Sequence, residues 1–476
     1  MDQILYWNAV ALEADRTTHT TGAPAEGNSR GPCGASRALA IVHLAMHDAY
    51  FGIHPGHDCY LGSALPQAPV GASSDAAIAA AAHAALNALY PTQKDFFNDR
   101  HRAAGLPVGQ AGGDGHAFGL KVAGALLALR AKDPGLGDDG YVYSVGREHH
   151  RADPVDPTQT PYAAFYGARS HLFAATSRHH LDAPPRPGSP LYEAGLRQVR
   201  AKGIAPHLMG TLPSDLQASR RTQNETTTGM FWAYDGVKGL GTPPRFYNQV
   251  IRKVAAAQGN DTARNARLFA LANAAMADAG ILAWSDKYYY DLWRPVVGVR
   301  EQDASGGPAG TGVDALGADA DPEWLPLGAP NTNNPGGKVN RTPPFPSYPS
   351  GHATFGAAAF QSVRHFYHQG AYAPDNLTAG LEFVSDELDG TSTDTNGIAR
   401  TRVVRTFPGG LWEMIKENSI SRVFLGVHWN YDGWTPNAAG EMDLTHNIGG
   451  VRLGLDIAND IAKNGLRSTR AAGPAA

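Results

Sequence analysis

Cysteine is nearly absent from this 476-residue chain, which has only Cys33 and Cys59. Two thiols are too few for a disulfide framework, so a single bridge and two free thiols in a reducing compartment both stay open. Basic runs are also absent and the formal net charge is −4, so the sequence predicts neither nucleic acid nor an anionic membrane as a partner. No stretch approaches 18 apolar residues without a charge, so no membrane-spanning helix is predicted.

The first residues of the chain lack the features of a secretion signal. The segment MDQILYWNAVALEAD contains neither a basic region nor a continuous apolar region, so no signal peptide is visible. A cytoplasmic location and secretion by a non-standard route therefore both stay open. The composition, with 42% hydrophobic and 18% charged residues, is that of a globular protein, and the length suggests more than one domain.

Helical periodicity dominates the chain. Apolar residues recur at three- and four-residue spacing and few segments alternate with period two, so the sequence predicts a mainly α fold. The predicted helices cover residues 36–50, 75–90, 116–132, 263–293, 351–368, 411–427 and 449–466. Glycine and proline concentrate in long loops between them, notably residues 133–195 and 301–350. We expect two helical bundles, residues 1–220 and 221–476, packed as one compact unit with long irregular loops.

The first motif with chemical potential is WSDKYYYDLWRP. On a continuous helix, Lys287 and Arg294 are two turns apart and share one face. Trp284 and Asp291 then lie on the same stripe. Two cations on one stripe among aromatic residues suit a multi-oxygen anion held from one side. The alternative is an ordinary basic face in contact with solvent.

The second motif is PSYPSGHATFG. We expect Pro349 to occupy an early helical position, which places the next three residues in the first turn. First-turn N–H groups bind anions, Gly351 allows close approach to the backbone, Ser350 adds a hydroxyl and His352 titrates near neutral pH. A serine-hydrolase elbow is disfavoured because Tyr348 stands where its glycine belongs. The alternative is a plain Ser350 N-cap with His352 on the surface.

The third motif is SRVFLGVHWNYDG. Arg422 and His428 are six residues apart and do not share a continuous helical face. Gly426 between them could end the helix and return His428 toward Arg422. Asp432, four residues beyond His428, could hold one imidazole nitrogen and leave the other free as a ligand or nucleophile. The alternative is a helix C-terminus with a capping histidine and an ordinary surface aspartate.

Together the motifs read K-x6-R-P, P-S-G-H and S-R-x3-G-x-H-x3-D, in that order along the chain. This pattern resembles the signature of the superfamily of type 2 phosphatidic acid phosphatases and vanadium haloperoxidases. The chain resembles fungal-type vanadium-dependent chloroperoxidases over most of its length, from LYWNAVALEADRTTHT and SRALAIVHLAMHDAYFGI to GGVRLGLDIANDIAKNGL. It departs from them in loops near residues 50–75, 133–165 and 429–447, where substrate access is expected to differ.

The resemblance implies a vanadate cofactor in the C-terminal bundle, enclosed by cations and hydrogen-bond donors. The residues that would bind it are Lys287, Arg294, Ser350, Gly351 through its amide, Arg422 and His428. His428 would be the only protein ligand bonded to the metal. His352 and Lys287 would be catalytic, the first as the acid–base group and the second by making a peroxide oxygen electrophilic.

Four further residues are expected to support the site. By resemblance, Asp235 in FWAYDG would orient Arg422 through a salt bridge. Trp284 and Phe345 would form an apolar wall near the halide. Asp432 would hold the ring of the metal-binding histidine, as its spacing already suggests. The many histidines of the N-terminal half show no metal-binding spacing, so we expect structural roles for them.

The implied function is a vanadium-dependent chloroperoxidase. It would oxidise halide, chloride or bromide, with hydrogen peroxide to hypohalous acid, which halogenates a small organic acceptor. The alternative is a phosphatase that binds phosphate with the same set of residues, here called the cage. In that case His428 would be the nucleophile and His352 would protonate the leaving group. A catalytically silent helical scaffold would require the whole constellation to be coincidental. Monomer and homodimer both stay open.

Overall fold

The computed structural model describes residues 1–21, 29–312, 317 and 319–469. Within these residues the chain forms α-helices joined by loops, and its β-structure is limited to a short antiparallel ribbon of Thr435–Pro436 with Met442–Asp443 and to isolated bridges. The helices are α1 (Gln3–Thr21), α2 (Gly31–Phe51), α3 (Ser74–Leu89), α4 (Lys94–Ala103), α5 (Gly109–Leu129), α6 (Tyr166–Arg169), α7 (Pro190–Lys202), α8 (Gln223–Phe231), α9 (Pro243–Ala257), α10 (Thr262–Tyr290), α11 (Pro295–Arg300), α12 (Gly351–Phe366), α13 (Gly410–Phe424) and α14 (Gly450–Asn464). The predicted mainly α fold is confirmed.

Every helix predicted from periodicity has an observed counterpart, namely α2, α3, α5, α10, α12, α13 and α14. The prediction missed several others, among them α8. This helix begins with a capping box, in which Thr222 accepts a hydrogen bond from the Glu225 N–H and the Glu225 carboxylate accepts one from the Thr222 N–H. The Thr-x-x-Glu spacing is a sequence signal for a helix start, so this helix was predictable from its cap rather than from its apolar pattern.

The long helix α10 lies at the centre of the molecule. It packs against α2, which comes from the N-terminal half of the chain, and against α12, which comes from the C-terminal half. Close packing depends on small residues: a Cβ added at Gly280 would lie 3.2 Å from both the Phe355 ring and the Ser36 hydroxyl. Of the helices in the described part of the chain, only α10 is long and apolar enough to cross a membrane, and 89% of its most apolar window is buried inside the protein.

The end of α10 differs from the prediction. The expected helix ran over residues 263–293 and continued its face to Arg294, whereas α10 ends just before Asp291, which has a left-handed backbone with φ 49°. Arg294 instead precedes α11, with an extended backbone at ψ 156°. The physical reason is Pro295, which disfavours helical geometry in the residue before it. The prediction that Lys287, Asp291 and Arg294 share one helical face is therefore wrong.

The two cysteines do not form a bridge. Both are free thiols in the structure, Cys33 in the core and Cys59 partly buried. The division of the chain at residues 220 and 221 stays a prediction. The packing of α2 on α10 crosses that division, so the two predicted bundles share an extensive interface.

Gly454 allows α14 to cross α12 at close range. A Cβ at Gly454 would lie 2.4 Å from the Thr354 carbonyl oxygen and 2.7 Å from the Ala357 Cβ. We expect Gly454→Ala to lower the free energy of unfolding by about 1–3 kcal/mol, because relief requires movement of a helix backbone. Gly124→Ala, at an exposed site in α5 with nothing within 4 Å, should stabilise by about 0.5–1 kcal/mol. Urea unfolding of both variants measures the change in the free energy of unfolding. An unchanged urea midpoint for Gly454→Ala would contradict the close crossing of α12 and α14.

Candidate active site

Arg294 joins the first motif to the third. Its Nη1 donates to the Val427 carbonyl oxygen at 2.7 Å and to Nε2 of His428 at 3.0 Å. Its Nε donates to the Phe345 carbonyl oxygen at 2.8 Å. The residue is 1% exposed, and burial lowers the pKa of Arg294 to about 9. A cation thus lies directly against the ring nitrogen that the sequence singled out as a ligand.

His428 has one defined tautomer. A guanidinium only donates hydrogen bonds, so Nε2 of His428 presents its lone pair to Arg294. The other nitrogen, Nδ1, lies 2.7 Å from Oδ2 of Asp432 and carries the proton. Burial, followed by the neighbouring cations, holds the pKa of His428 well below its usual value. The ring is therefore neutral, with Nε2 in the form that ligates a metal or attacks an electrophile.

Asp432 positions this ring and connects it to the second motif. Its Oδ2 also accepts from the Trp429 N–H at 3.1 Å and from the Ser347 hydroxyl. Its backbone carbonyl accepts from the Ser350 N–H at 2.8 Å. Burial raises the pKa of Asp432 to about 7. The contact suggested by the four-residue spacing is present, and Asp432 is buried rather than a surface residue.

Gly426 brings Arg422 and His428 to the same cavity. Helix α13 ends at Phe424, Gly426 has a left-handed φ of 73°, and the Val427 N–H donates back to the Arg422 carbonyl oxygen at 3.1 Å. A side chain at Gly426 has no room, since a Cβ would lie 2.5 Å from the Gly203 carbonyl oxygen. The chain reversal places both functional side chains on the cavity lining.

Arg422 forms a buried bidentate pair with Asp235. Its Nη2 and Nη1 lie 2.7 and 3.2 Å from the two carboxylate oxygens. Burial favours the protonated acid, but Arg422 and then His352 outweigh burial and leave the pKa of Asp235 below its usual value. Since Asp235 stays ionised, it fixes the plane of the guanidinium.

Lys287 is fully buried behind the cavity wall. Its Nζ donates to the carbonyl oxygens of Pro346, Ser347 and Pro349 at 2.9, 2.9 and 2.5 Å. Burial and then Arg294 lower the pKa of Lys287 well below its usual value. An ammonium group has three protons, so Lys287 must release one of these carbonyls to contact an anion.

The second motif lies at the start of α12, in a slightly different register from the prediction. Ser350 is the N-cap, its Oγ accepting from the Ala353 N–H at 3.4 Å, so Pro349 precedes the helix instead of occupying its first turn. Gly351 lines the cavity. A Cβ at Gly351 would lie 3.1 Å from the Trp284 ring, so glycine keeps the backbone accessible beside that ring.

His352 is a buried neutral base. It is 8% exposed, so the alternative of a surface histidine is wrong. Its Nε2 lies 2.6 Å from the Ala233 carbonyl oxygen, and a carbonyl only accepts, so Nε2 carries the proton. Burial and then Arg422 lower the pKa of His352 to about 3. The ring is neutral, and Nδ1 holds the lone pair that can take a proton.

The cage opens into a cavity of about 610 Å³. Trp284 and Phe345 form one wall, with ring centroids 4.8 Å apart. Nζ of Lys287 lies 5.5 Å from the first ring centroid and 5.1 Å from the second. His352, Arg422 and His428 face the same space, so apolar surface, cationic charge and two neutral imidazoles converge there.

The side chains present fit a tetrahedral oxyanion such as vanadate. Two guanidinium nitrogens, Nη2 of Arg294 and Nε of Arg422, are buried and have no hydrogen-bond partner among the described residues. Unsatisfied buried donors on cations are costly unless a ligand accepts from them. Nη2 of Arg294 belongs to the guanidinium whose Nη1 contacts Nε2 of His428. Arg422 lines the same cavity as His428 and Gly351, the first residue of α12, and backbone N–H groups at a helix start favour anions.

The structural roles expected for the histidines of the N-terminal half stay a prediction. Within the described residues, no group of three or more His, Cys, Asp or Glu side chains could hold a metal ion. Several of these histidines contact a carboxylate, as in His47 with Asp48 at 2.9 Å and His180 with Asp286 at 3.0 Å. His150 is buried, and neither of its ring nitrogens has a hydrogen-bond partner among the described residues.

The sequence patterns missed several residues of the site. Ser347, which donates to Asp432, lies inside the second motif and was detectable there as a buried hydroxyl near Pro349. The carbonyl of Ala233 that fixes the tautomer of His352 has no side-chain signal. Arg30 and Arg341 line the cavity but belong to no motif.

Comparisons with known proteins agree with this arrangement. Residues 1–162 match the vanadium chloroperoxidase N-terminal domain, and residues 267–442 match the VCPO second helical-bundle domain. The vanadium chloroperoxidase of Curvularia inaequalis is 34% identical over 577 aligned residues, covering 98% of this chain and 90% of that protein.

Solved structures share the fold. The first bacterial vanadium-dependent iodoperoxidase superposes with a TM-score of 0.66 at 17% identity, covering 97% of each chain. An apo-type bacterial vanadium-dependent chloroperoxidase has a TM-score of 0.59 at 16% identity, covering 91% of this chain and 95% of the other.

The family matches and the shared fold define the class: the chain is a vanadate-dependent haloperoxidase, which oxidises halide with hydrogen peroxide. Within that class it belongs to the vanadium chloroperoxidase family. The predicted family, cofactor and enzyme class are confirmed. The oligomeric state, monomer or homodimer, stays a prediction.

Proposed function

We propose that the enzyme oxidises chloride as well as bromide, at a vanadate held by the cage. The observation that carries the cage assignment is the pair of buried, unpartnered donors on Arg294 and Arg422 beside the Nε2 lone pair of His428. His428 would bond the metal through Nε2, in place of the hydrogen bond that this nitrogen accepts from Arg294. Arg294, Arg422, Lys287 and the groups at the start of α12 donate to the oxyanion. These are preorganised charges in a buried site, where electrostatic stabilisation is strongest.

Vanadate supplies a Lewis acid that activates hydrogen peroxide without a change in oxidation state of the metal. The proton released by the peroxide goes to Nδ1 of His352, whose lone pair is kept available because Nε2–H donates to Ala233. Lys287 would turn one N–H from the loop carbonyls to a peroxide oxygen and make that oxygen more electrophilic. Asp235 keeps the Arg422 guanidinium in its plane throughout.

The ability to oxidise chloride is proposed from the wall of Trp284 and Phe345. Chloride is more strongly hydrated than bromide, so it gains more from a site that removes its water and offsets the cost with a nearby cation. The aromatic rings exclude water, and the Lys287 ammonium lies within 5.5 Å of both ring centroids. A wall that admitted water would lower kcat/KM for chloride more than kcat/KM for bromide.

The test compares chloride with bromide in metal-free protein reconstituted with orthovanadate. With peroxide and a β-diketone dye, we expect both halides to support halogenation, and added phosphate to compete with vanadate for the cage. Phe345→Asn, which wets the wall, should lower the chloride-to-bromide ratio of kcat/KM about tenfold, equivalent to about 1.4 kcal/mol.

The matched control is Phe345→Leu, which keeps the wall apolar and should retain the ratio of the parent protein. Turnover with bromide but none with chloride would disprove the chloride proposal. If the chloride-to-bromide ratio of kcat/KM fell equally in both variants, the aromatic ring itself, rather than the exclusion of water, would determine that ratio. Phosphate that fails to compete would argue against the cage residues as the oxyanion site.

A further inference from the structure

The cavity in front of the cage is much larger than halide and peroxide require. Its volume is about 610 Å³, whereas a water-sized species occupies about 30 Å³. Cavities of about 300–1,000 Å³ are the size that proteins use for small organic molecules. The lining also includes residues outside the cage and the wall, among them Pro32, Tyr162 and Pro343, and halide and peroxide leave most of the space to be explained.

Most of this remaining surface is apolar and rigid. The apolar lining residues outside the wall include Pro32, Tyr162, Pro243, Pro343, Pro344 and Phe355. Tyr162 packs edge-on against Trp284 with ring centroids 6.1 Å apart, so its ring extends the wall outward. Proline and aromatic surfaces lose little side-chain freedom when they contact a ring, and they suit a flat ligand.

Two arginines give this apolar space an unbalanced positive charge. Arg30 and Arg341 line the cavity, and neither forms an ion pair within the described residues. The Arg341 guanidinium makes only two long bonds, both 3.3 Å, to the neutral oxygens of Asn331 and the Asp235 backbone. The Arg30 side chain has no hydrogen-bond partner in the described chain. The carboxylate that lines the cavity, Asp235, is already paired with Arg422.

We propose that this cavity is a binding site for the organic acceptor, and that the acceptor class is an electron-rich aromatic compound with a carboxylate group. The carboxylate binds Arg30 and Arg341, and the ring lies against the proline and tyrosine surface facing Trp284 and Phe345. This inference rests on the proposed function, because the halide must be oxidised at the inner end of the same cavity.

The chemistry balances without another reactant. The halide gives two electrons to hydrogen peroxide, whose O–O bond breaks. A carbon–halogen bond forms on the acceptor as its C–H bond breaks. The proton from that C–H bond and one proton from solvent join the two from peroxide in two water molecules. Bound acceptor would therefore intercept the oxidised halogen before it escapes as free hypohalous acid.

The test is a competition between a phenol that bears a carboxylate, 3-(4-hydroxyphenyl)propanoate, and its neutral methyl ester. Vanadate-loaded protein receives both at equal concentration with bromide and limiting peroxide, and the ratio of brominated products is compared with that from reagent hypobromous acid. We expect the enzyme to favour the carboxylate about tenfold over the reagent, the effect of about 1.4 kcal/mol from charge-assisted hydrogen bonds. The ratio does not depend on how much enzyme is active.

Variants assign the preference to the arginines. Arg30→Gln/Arg341→Gln should return the product ratio to that of the reagent, and Arg30→Gln alone, which loses no partner in the structure, should give an intermediate ratio. Arg220→Gln removes an exposed arginine outside the cavity and should keep the preference. A reagent-like ratio in the parent protein, or a preference that survives the double substitution, would overturn the proposal.

A binding measurement separates this inference from the proposed function. Titration calorimetry with vanadate present, and without halide or peroxide, should show tighter binding of the carboxylate than of the ester, and the double variant should lose this difference. If the parent protein fails to oxidise bromide, the proposed function fails while calorimetry still decides the inference. If it oxidises bromide but binds both compounds equally, only the inference fails.

Discussion

Replacement of His428 by alanine should abolish vanadate binding. Its Nε2 is unprotonated and accepts a hydrogen bond from Arg294, while Asp432 holds the proton on its Nδ1, so a metal that displaces the Arg294 N–H can bond Nε2. Loss of an outer partner of a metal ligand already costs about 10–100-fold in affinity, so loss of the ligand should cost more than about 100-fold. Equilibrium dialysis of the metal-free protein against orthovanadate measures the effect.

Two further variants make the result specific. His428→Gln keeps a donor for the buried Asp432, so it separates loss of the ligand from damage to the fold, and it should also fail to bind vanadate tightly. His446→Ala removes an exposed histidine that pairs with Asp443 at 3.0 Å outside the cage and should bind normally. Full vanadate affinity in His428→Ala would show that the ligand assignment is wrong.

His352→Ala should impair turnover far more than vanadate binding. His352 bonds to the Ala233 backbone through Nε2, which leaves Nδ1 as a proton acceptor, and it is neutral in the free protein because burial lowers its pKa to about 3. Loss of a general acid–base group typically costs 10²–10⁴-fold, so we expect kcat to fall by at least about 100-fold. Steady-state bromination measures kcat, and the vanadate dissociation constant is measured in parallel, so the two effects of the substitution can be compared.

His19→Gln is a matched control for this prediction. His19 also lines the cavity, but its Nδ1 lies 2.8 Å from the Asp15 carbonyl oxygen and its Nε2 accepts from the Gly31 N–H at 3.0 Å. Both nitrogens are thus already engaged in hydrogen bonds to the backbone, and glutamine can replace both contacts. A loss of vanadate affinity in His352→Ala as large as the loss of kcat would place His352 in the cage rather than in proton transfer.

The charges around the cage favour the binding of an anion. Three buried cations, Lys287, Arg294 and Arg422, face two carboxyl groups, Asp235 and Asp432. Burial raises the pKa of Asp432, which opposes ionisation of this carboxyl group. Cations confined in this way depress one another's pKa values, as seen for Lys287 beside Arg294. A multiply charged oxyanion relieves that repulsion.

Local sequence was sufficient for much of the fold, and it predicted cage residues that the structure brings close together. Helices such as α12 and α14 follow from periodicity, and Gly426 correctly indicated a chain reversal between Arg422 and His428. The end of α10 was also predictable from the sequence, because Pro295 constrains the backbone of the residue before it. The error there came from extending a periodic pattern through a proline boundary.

The amino-acid sequence alone indicated a mainly α protein of the haloperoxidase family and predicted which side chains would enclose the oxyanion. Only the tertiary structure showed which hydrogen bonds those side chains already make. Lys287 is occupied by three backbone carbonyls, and His352 has its tautomer set by the carbonyl of Ala233, 119 residues away. Backbone carbonyl directions and burial arise from long-range packing and leave no mark in local sequence. The same packing brings Arg30 and Arg341 into one cavity, which no motif could show.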